Sequence, residues 1–384
     1  MRSRQKNLKS TSRAVISSCA GILAIFLLAG VSAAQQANPH QLLTHAIEAQ
    51  QHGDFNSAIR DYRQVLAMRP GMVEARINLG AALAHEGQYD AAIEMYRSAL
   101  PMIAEKNPVL LNMGLAYYKK GDLKDARERF EAVHQNQPQD VRTAILLGDT
   151  DVKMGKAVEA VSVLEPLEAN NSQNLDFEYV FGSALINAGR RHDGAARLEK
   201  VAASGKMADA YMLAGEALLK ANDFEPALRD LESALRLNPK LPRIYTLVGN
   251  ARDKTGNIRD AEAAFREAVK VDQNDFDANL YLGAILYKNR HLDEAKPYLE
   301  HALQLNPSSS MARYEFAMWK STAGQYDAAI QDLEKVIKED PTWLEPHVQL
   351  ATLYYKVHRP SDGARERQVV DRLNAEQQQR GPNK

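Results

Sequence analysis

Little in this 384-residue sequence is equipped for covalent chemistry. It has a single cysteine, Cys19, which excludes a disulfide within the chain and a cysteine-ligated metal site. His-Glu-x-x-His, Gly-x-Ser-x-Gly and Walker-type phosphate loops are missing. The ten histidines are scattered, mostly near turns (His52, His192, His291, His358), and read as solvated surface groups. No residue is assigned to catalysis, to a cofactor or to a metal, and the chain is expected not to be an enzyme. The β-branched runs that strands need are absent. An excess of one charge is lacking too: the net charge is −1, whereas a nucleic-acid partner calls for a basic face.

The first 34 residues stand apart. Arg2, Arg4, Lys6, Lys9 and Arg13, with no acid among them, precede an uncharged run, AVISSCAGILAIFLLAGVSAA, that closes on Ser32, Ala33 and Ala34. Basic, then apolar, then small is the order of an export signal, cut near Ala33 or Ala34. The chain would then be periplasmic or extracellular and free of cysteine. Of its 48 basic residues 43 would remain, against 49 acidic. The alternative is a retained inner-membrane anchor, since Ala14–Ala34 is long enough to span a bilayer. Only in that case is a membrane a partner.

What the rest of the chain does contain is a repeat. Asn107–Asp140 holds an apolar stripe around Gly114, a break at Gly121, a second stripe of Ala126, Phe130 and Val133, and a stop at Pro138. That pattern predicts a helix, a tight turn and a second helix folded back on the first. Shifting by 34 residues finds it again in both directions. One register holds Ala58, Ala92, Ala126, Ala160, Gly194, Ala227, Ala261, Ala295, Ala329 and Gly363. Another holds Ala46, Gly80, Gly114, Gly148, Gly182, Gly215, Gly249, Gly283, Ala317 and Ala351. Only Gly or Ala occurs in either, as expected where two helix backbones cross closely. Four residues past the first register comes a bulky group, from Tyr62, Tyr96 and Phe130 to Phe265, Leu299 and Leu333, with Arg367 the one departure.

Small against large at a fixed period marks a stacked helical array. The stretches NLGAALAHEGQYDAAIEMYRSAL, NMGLAYYKKGDLKDARERFEAV and YLGAILYKNRHLDEAKPYLEHALQLNP make it closely similar to the tetratricopeptide-repeat (TPR) family. The resemblance implies an all-α fold, a right-handed α-solenoid of about ten helix-turn-helix units. These units begin near residues 39, 73, 107, 141, 175, 208, 242, 276, 310 and 344, and the array spans 35–377, followed by a flexible tail at 378–384. Departures are expected at three places. Pro101 should end the second helix of repeat 2 early. The 33-residue fifth repeat should leave a looser joint near Ser204–Asp209. The last helix, near Ser361–Glu376, has the narrow apolar stripe of a cap.

By the same resemblance, the first helix of each pair lines a concave groove at positions 2, 5, 9, 12 and 13 of the repeat. In repeats 8–10 this template gathers Leu280, Tyr287, Met311, Tyr314, Met318, Val348 and Tyr355, with Trp319 beside them, as a candidate partner-binding patch. Repeats 4–7 place mainly charged or amide groups there, among them Arg142, Asp149, Asp209, Glu216, Arg243, Asn250 and Asp253. Position 13 carries a secondary ladder of lysines, Lys119, Lys153, Lys220, Lys254, Lys288 and Lys356, suited to an acidic peptide. The expected function is an exported, non-catalytic scaffold that binds protein or peptide partners in its groove. The alternatives are a membrane-anchored assembly or secretion factor and a regulatory subunit of an enzyme such as a glycosyltransferase.

Overall fold

The computed structural model describes residues 38–380, so the expected leader and the last four residues lie outside the described residues. Those residues form helices and turns and no strand, and none of the helices is long and apolar enough to cross a membrane. They fall into two compact parts, one ending at Met72 and one beginning at Val73.

In the first part, helices Pro39–Gln51 and Phe55–Met68 fold together over Leu43, Ala46, Ala58, Ile59, Tyr62 and Val65. Asn38 caps the first helix by accepting from the His40 amide. Asp54 caps the second by accepting from Ser57 N at 3.0 Å.

The second part holds nine pairs. Repeats 2–4 are Val73–His85 with Tyr89–Ala99, Asn107–Lys120 with Leu123–Asn136, and Val141–Lys153 with Ala157–Leu164. Repeats 5–7 are Leu175–Asn187 with Arg191–Gly205, Ala208–Lys220 with Phe224–Leu237, and Ile244–Lys254 with Ile258–Val271. Repeats 8–10 are Phe276–Lys288 with Leu292–Leu305, Ser310–Thr322 with Tyr326–Glu339, and Leu344–Lys356 with Pro360–Arg380. The two helices of each pair pack on one another. From repeat 3 onward each first helix packs on the second helix of the repeat before it, and several first helices also touch that of the next repeat. The result is an α-solenoid.

The two small-residue registers are what close each pair. Every position in them is buried. A Cβ placed on Gly114 would lie 2.6 Å from the Phe130 ring, and one on Gly249 would lie 2.7 Å from that of Phe265. The bulky group of the second helix therefore fills the notch that the small residue of the first helix leaves. The turn between the helices needs a left-handed residue. Gly121 supplies it at φ 93°, while Asn222, Arg290 and His358 take the same conformation at φ 64°, 68° and 58°.

The departures sort out differently. Pro101 does end its helix: Tyr89–Ala99 gives way to a 3₁₀ turn at Leu100–Met102. Pro166 does the same in repeat 4, where a 3₁₀ turn at Glu165–Leu167 follows Ala157–Leu164. The joint after repeat 5 is not loose. Its second helix runs to Gly205, and one buried cluster including Leu198, Ala202, Ala210 and Ala214 passes straight across it. Missing bulk there is answered by closer approach. Repeat 7 starts two residues late, at Ile244, because Pro242 is followed by Arg243 in the left-handed region at φ 62°. The last helix continues to Arg380, past the point where fraying was expected. Its Gln- and Arg-rich end has good helix propensity. His347, unlike a solvated histidine, is buried, with Nδ1 2.6 Å from Glu366 Oε2 and Nε2 3.1 Å from the Pro341 carbonyl.

Candidate partner-binding site

The candidate patch in repeats 8–10 does not survive as one surface. Met311, Val348 and Tyr355 are exposed, and Tyr314 and Met318 are half-buried. Leu280 and Tyr287 are only 2% and 5% exposed. They are core residues, because the first helix of repeat 9 lies over them. The Tyr287 hydroxyl donates to Glu315 Oε2 at 2.6 Å, and burial, with the Glu315 charge, pushes the phenol far above its usual pKa. Trp319 is buried too: its Nε1 donates to the Leu292 carbonyl at 2.9 Å and its ring stacks on Phe316. Tyr314 turns to Trp343, with ring centroids 4.9 Å apart.

The lysine ladder is present on the surface, and all six side chains belong to exposed residues. Several are already neutralised. Lys153 pairs with Asp149 at 2.6 Å and Lys220 with Glu216 at 3.0 Å, each one turn back on its own helix. Lys288 lies 3.8 Å from Glu315, and Lys356 sits over the Tyr326 ring. Burial opposes the charge on Lys153, but its bonds to Asp149 and Tyr118 outweigh that and hold its pKa above the usual value. A continuous clamp of free cations is therefore not what these residues form.

A largely apolar concavity lies further back, in repeats 3–5. It is a cavity of about 500 Å³ floored by Leu115, Ile145, Leu146, Leu175, Tyr179 and Val180. Every one of these comes from a first helix. Arg142, Asp149 and Asp176 stand among the apolar groups. Asp149 also accepts from the Tyr118 hydroxyl, which fixes its side chain between two repeats. Tyr179 is half-buried, and its pKa is raised by burial and then by the charges of Asp209 and Asp149. The concavity combines an apolar floor with a few oriented polar groups, as binding clefts do. Sequence reasoning weighed the charged positions 2 and 9 of these repeats. The signal that reveals the floor is the apolar residue at position 5, Ile145 and Tyr179, next to Leu146 and Val180.

Comparisons with known proteins agree with this architecture. Family models described as Tetratricopeptide repeat match residues 43–108, 117–180, 179–242, 248–310 and 284–342. The chain is 29% identical over 145 residues to a BBSome complex member BBS4 homolog of Drosophila melanogaster, covering 34% of this chain and 29% of that one. It is 25% identical over 114 residues to anaphase-promoting complex subunit 3 of Schizosaccharomyces pombe, covering 30% of this chain and 17% of that protein. These matches span well under half of either relative. A tetratricopeptide repeat protein from Parabacteroides merdae aligns in structure with a TM-score of 0.49 at 14% identity, over 69% of this chain and 98% of its own. The period, the two small-residue registers filled by bulky partners and the family match over most of the chain converge, and the chain belongs to the tetratricopeptide-repeat family.

Proposed function

We propose that this protein is an exported, non-catalytic scaffold that holds extended segments of partner proteins in the groove of repeats 3–5. One observation carries the reading: the cavity floored by Leu115, Ile145, Leu146, Leu175, Tyr179 and Val180, all on groove-lining helices. An apolar side chain of a partner fills that floor, while Arg142 and Asp176 orient the backbone around it. Two of the relatives are named as members of multiprotein complexes, which supports a docking role. Export rests on the charge order of residues 1–34.

The test is affinity capture with the chain from Gln35 onward, with mass spectrometry of what is retained. Tyr179→Ala combined with Ile145→Ala should weaken capture by ~2 kcal/mol or more while helicity is kept. Unchanged capture by the folded double mutant overturns the site. Recovery of an intact leader in a membrane fraction would replace export with the anchored reading.

A further inference from the structure

Repeats 8 and 10 end their first helices on the same pair, Tyr287-Lys288 and Tyr355-Lys356. In repeat 8 the pair is covered. Glu315, from the first helix of repeat 9, accepts from the Tyr287 hydroxyl at 2.6 Å and lies 3.8 Å from Lys288 Nζ. Ala312 and Trp319 of that helix belong to the same buried cluster as Leu280, Leu299 and Ala302. In repeat 10 the corresponding positions are Val348, Tyr355, Lys356, Arg367 and Val370. Together they line a groove of about 530 Å³ between the repeat's two helices, and no described residue packs over it. Val348 is 40% exposed and Tyr355 43%, against 2% for Leu280 and 5% for Tyr287. The surface that repeat 9 covers in one place is open in the other.

We propose that this groove is a socket for one amphipathic helix of a partner protein, carrying a carboxylate where the first helix of repeat 9 carries Glu315. Repeat 9 supplies the template for the occupant. It presents a small residue (Ala312), an acid one turn on (Glu315), and then large apolar groups (Phe316, Trp319) on the same face. Repeat 10 adds a distinction of its own: Arg367 stands where repeat 8 has Leu299. Lys356, Arg367 and Tyr355 line the groove together with the apolar Val348, Ala351 and Val370. An acidic amphipathic helix satisfies all of these groups, and a basic one is repelled.

The probe is a labelled, end-capped peptide copying Ser309–Ala323, titrated onto the full chain. Saturable binding is expected. Glu315→Gln in the peptide should weaken it about tenfold, the loss of a hydrogen-bonded charge. Lys356→Ala with Tyr355→Phe in the chain should weaken it similarly, and Val348→Asp should abolish it. To offset the cost of ordering a free peptide, the same segment is also joined to the chain end by a Gly-Ser linker. That fusion should raise Tm, and Val348→Asp should cancel the rise. Tyr179→Ala should leave both readouts unchanged, so the failure of this socket and of the groove in repeats 3–5 are separable. No binding and no Tm rise, or binding indifferent to Glu315→Gln and Val348→Asp, overturns the proposal. A dimer in sedimentation that Val348→Asp dissolves would overturn it in favour of a second copy as the occupant.

Discussion

Between repeats 5 and 6 the helices meet through Ala195, Ala202, Ala210 and Ala214, with Leu198 and Val201 between them. Between repeats 8 and 9 they meet through Leu280, Tyr287 and Trp319. The small side chains bring backbones close but cannot reach out to polar neighbours. Asp230 illustrates the consequence: it is buried, and its Oδ2 has no hydrogen-bond partner. Burial pushes its carboxyl up to about 7, the charge of Glu199 across the junction and a hydrogen bond to that carboxylate add to the rise, and Arg229 on its own helix opposes it. At the other junction the large side chains carry their own polar ends. Trp319 reaches the Leu292 carbonyl and Tyr287 reaches Glu315. Packing by amphipathic bulk satisfies hydrogen bonds that packing by alanine leaves open.

The contrast can be tested from both sides. Trp319→Ala removes the largest ring at the 8–9 junction and should cost ~3–5 kcal/mol in chemical denaturation. A loss below ~1 kcal/mol would mean that the junction does not depend on that ring.

Asp230→Asn acts on the 5–6 junction in the opposite direction. At pH 8 it should stabilise the chain by ~1–3 kcal/mol, because a buried ionised oxygen without a partner is removed. The sign in pH follows from linkage. The folded carboxyl titrates at about 7, and the unfolded one at the ordinary aspartate value of about 3.9. The folded state therefore holds the extra proton between those values. Its contribution is full at acid pH and is lost as pH rises through about 7. Tm against pH should fall across that window in the native chain and fall less in Asp230→Asn. Parallel curves would remove Asp230 from the account.

The smallest effect is at Lys206, which ends the second helix of repeat 5 in the left-handed region at φ 50°. Lys206→Gly should relieve ~1 kcal/mol of backbone strain. If Tm does not rise, the short connection is not where this junction stores strain.

The periodic parts of the fold were legible because glycine and alanine at a fixed spacing have one physical meaning, a close crossing. Gly114 and Phe130 could be paired from the sequence alone. Pro101 was equally direct, and Pro166 gives the same signal by the same logic. The joint after repeat 5 was misread because missing bulk looks like missing contact in a sequence, whereas helices can close the gap. Leu280 and Tyr287 were assigned to the groove by their place in the repeat. Whether such a side chain is exposed depends on the helix that follows, and Tyr355 shows the opposite outcome for the same residue type. The floor at Ile145 and Tyr179 was obscured by the charged positions around it.

The notch contact within each repeat also bears on how the chain reaches its structure. Gly249 and Phe265 meet across a short connecting turn, and so do Gly114 and Phe130. The first tertiary contact in any repeat therefore closes only a small loop, and the entropy lost in closing it does not grow with the length of the whole chain. Nucleation is available at many points along the polypeptide, and a closed pair becomes stable once the neighbouring repeat stacks on its apolar face.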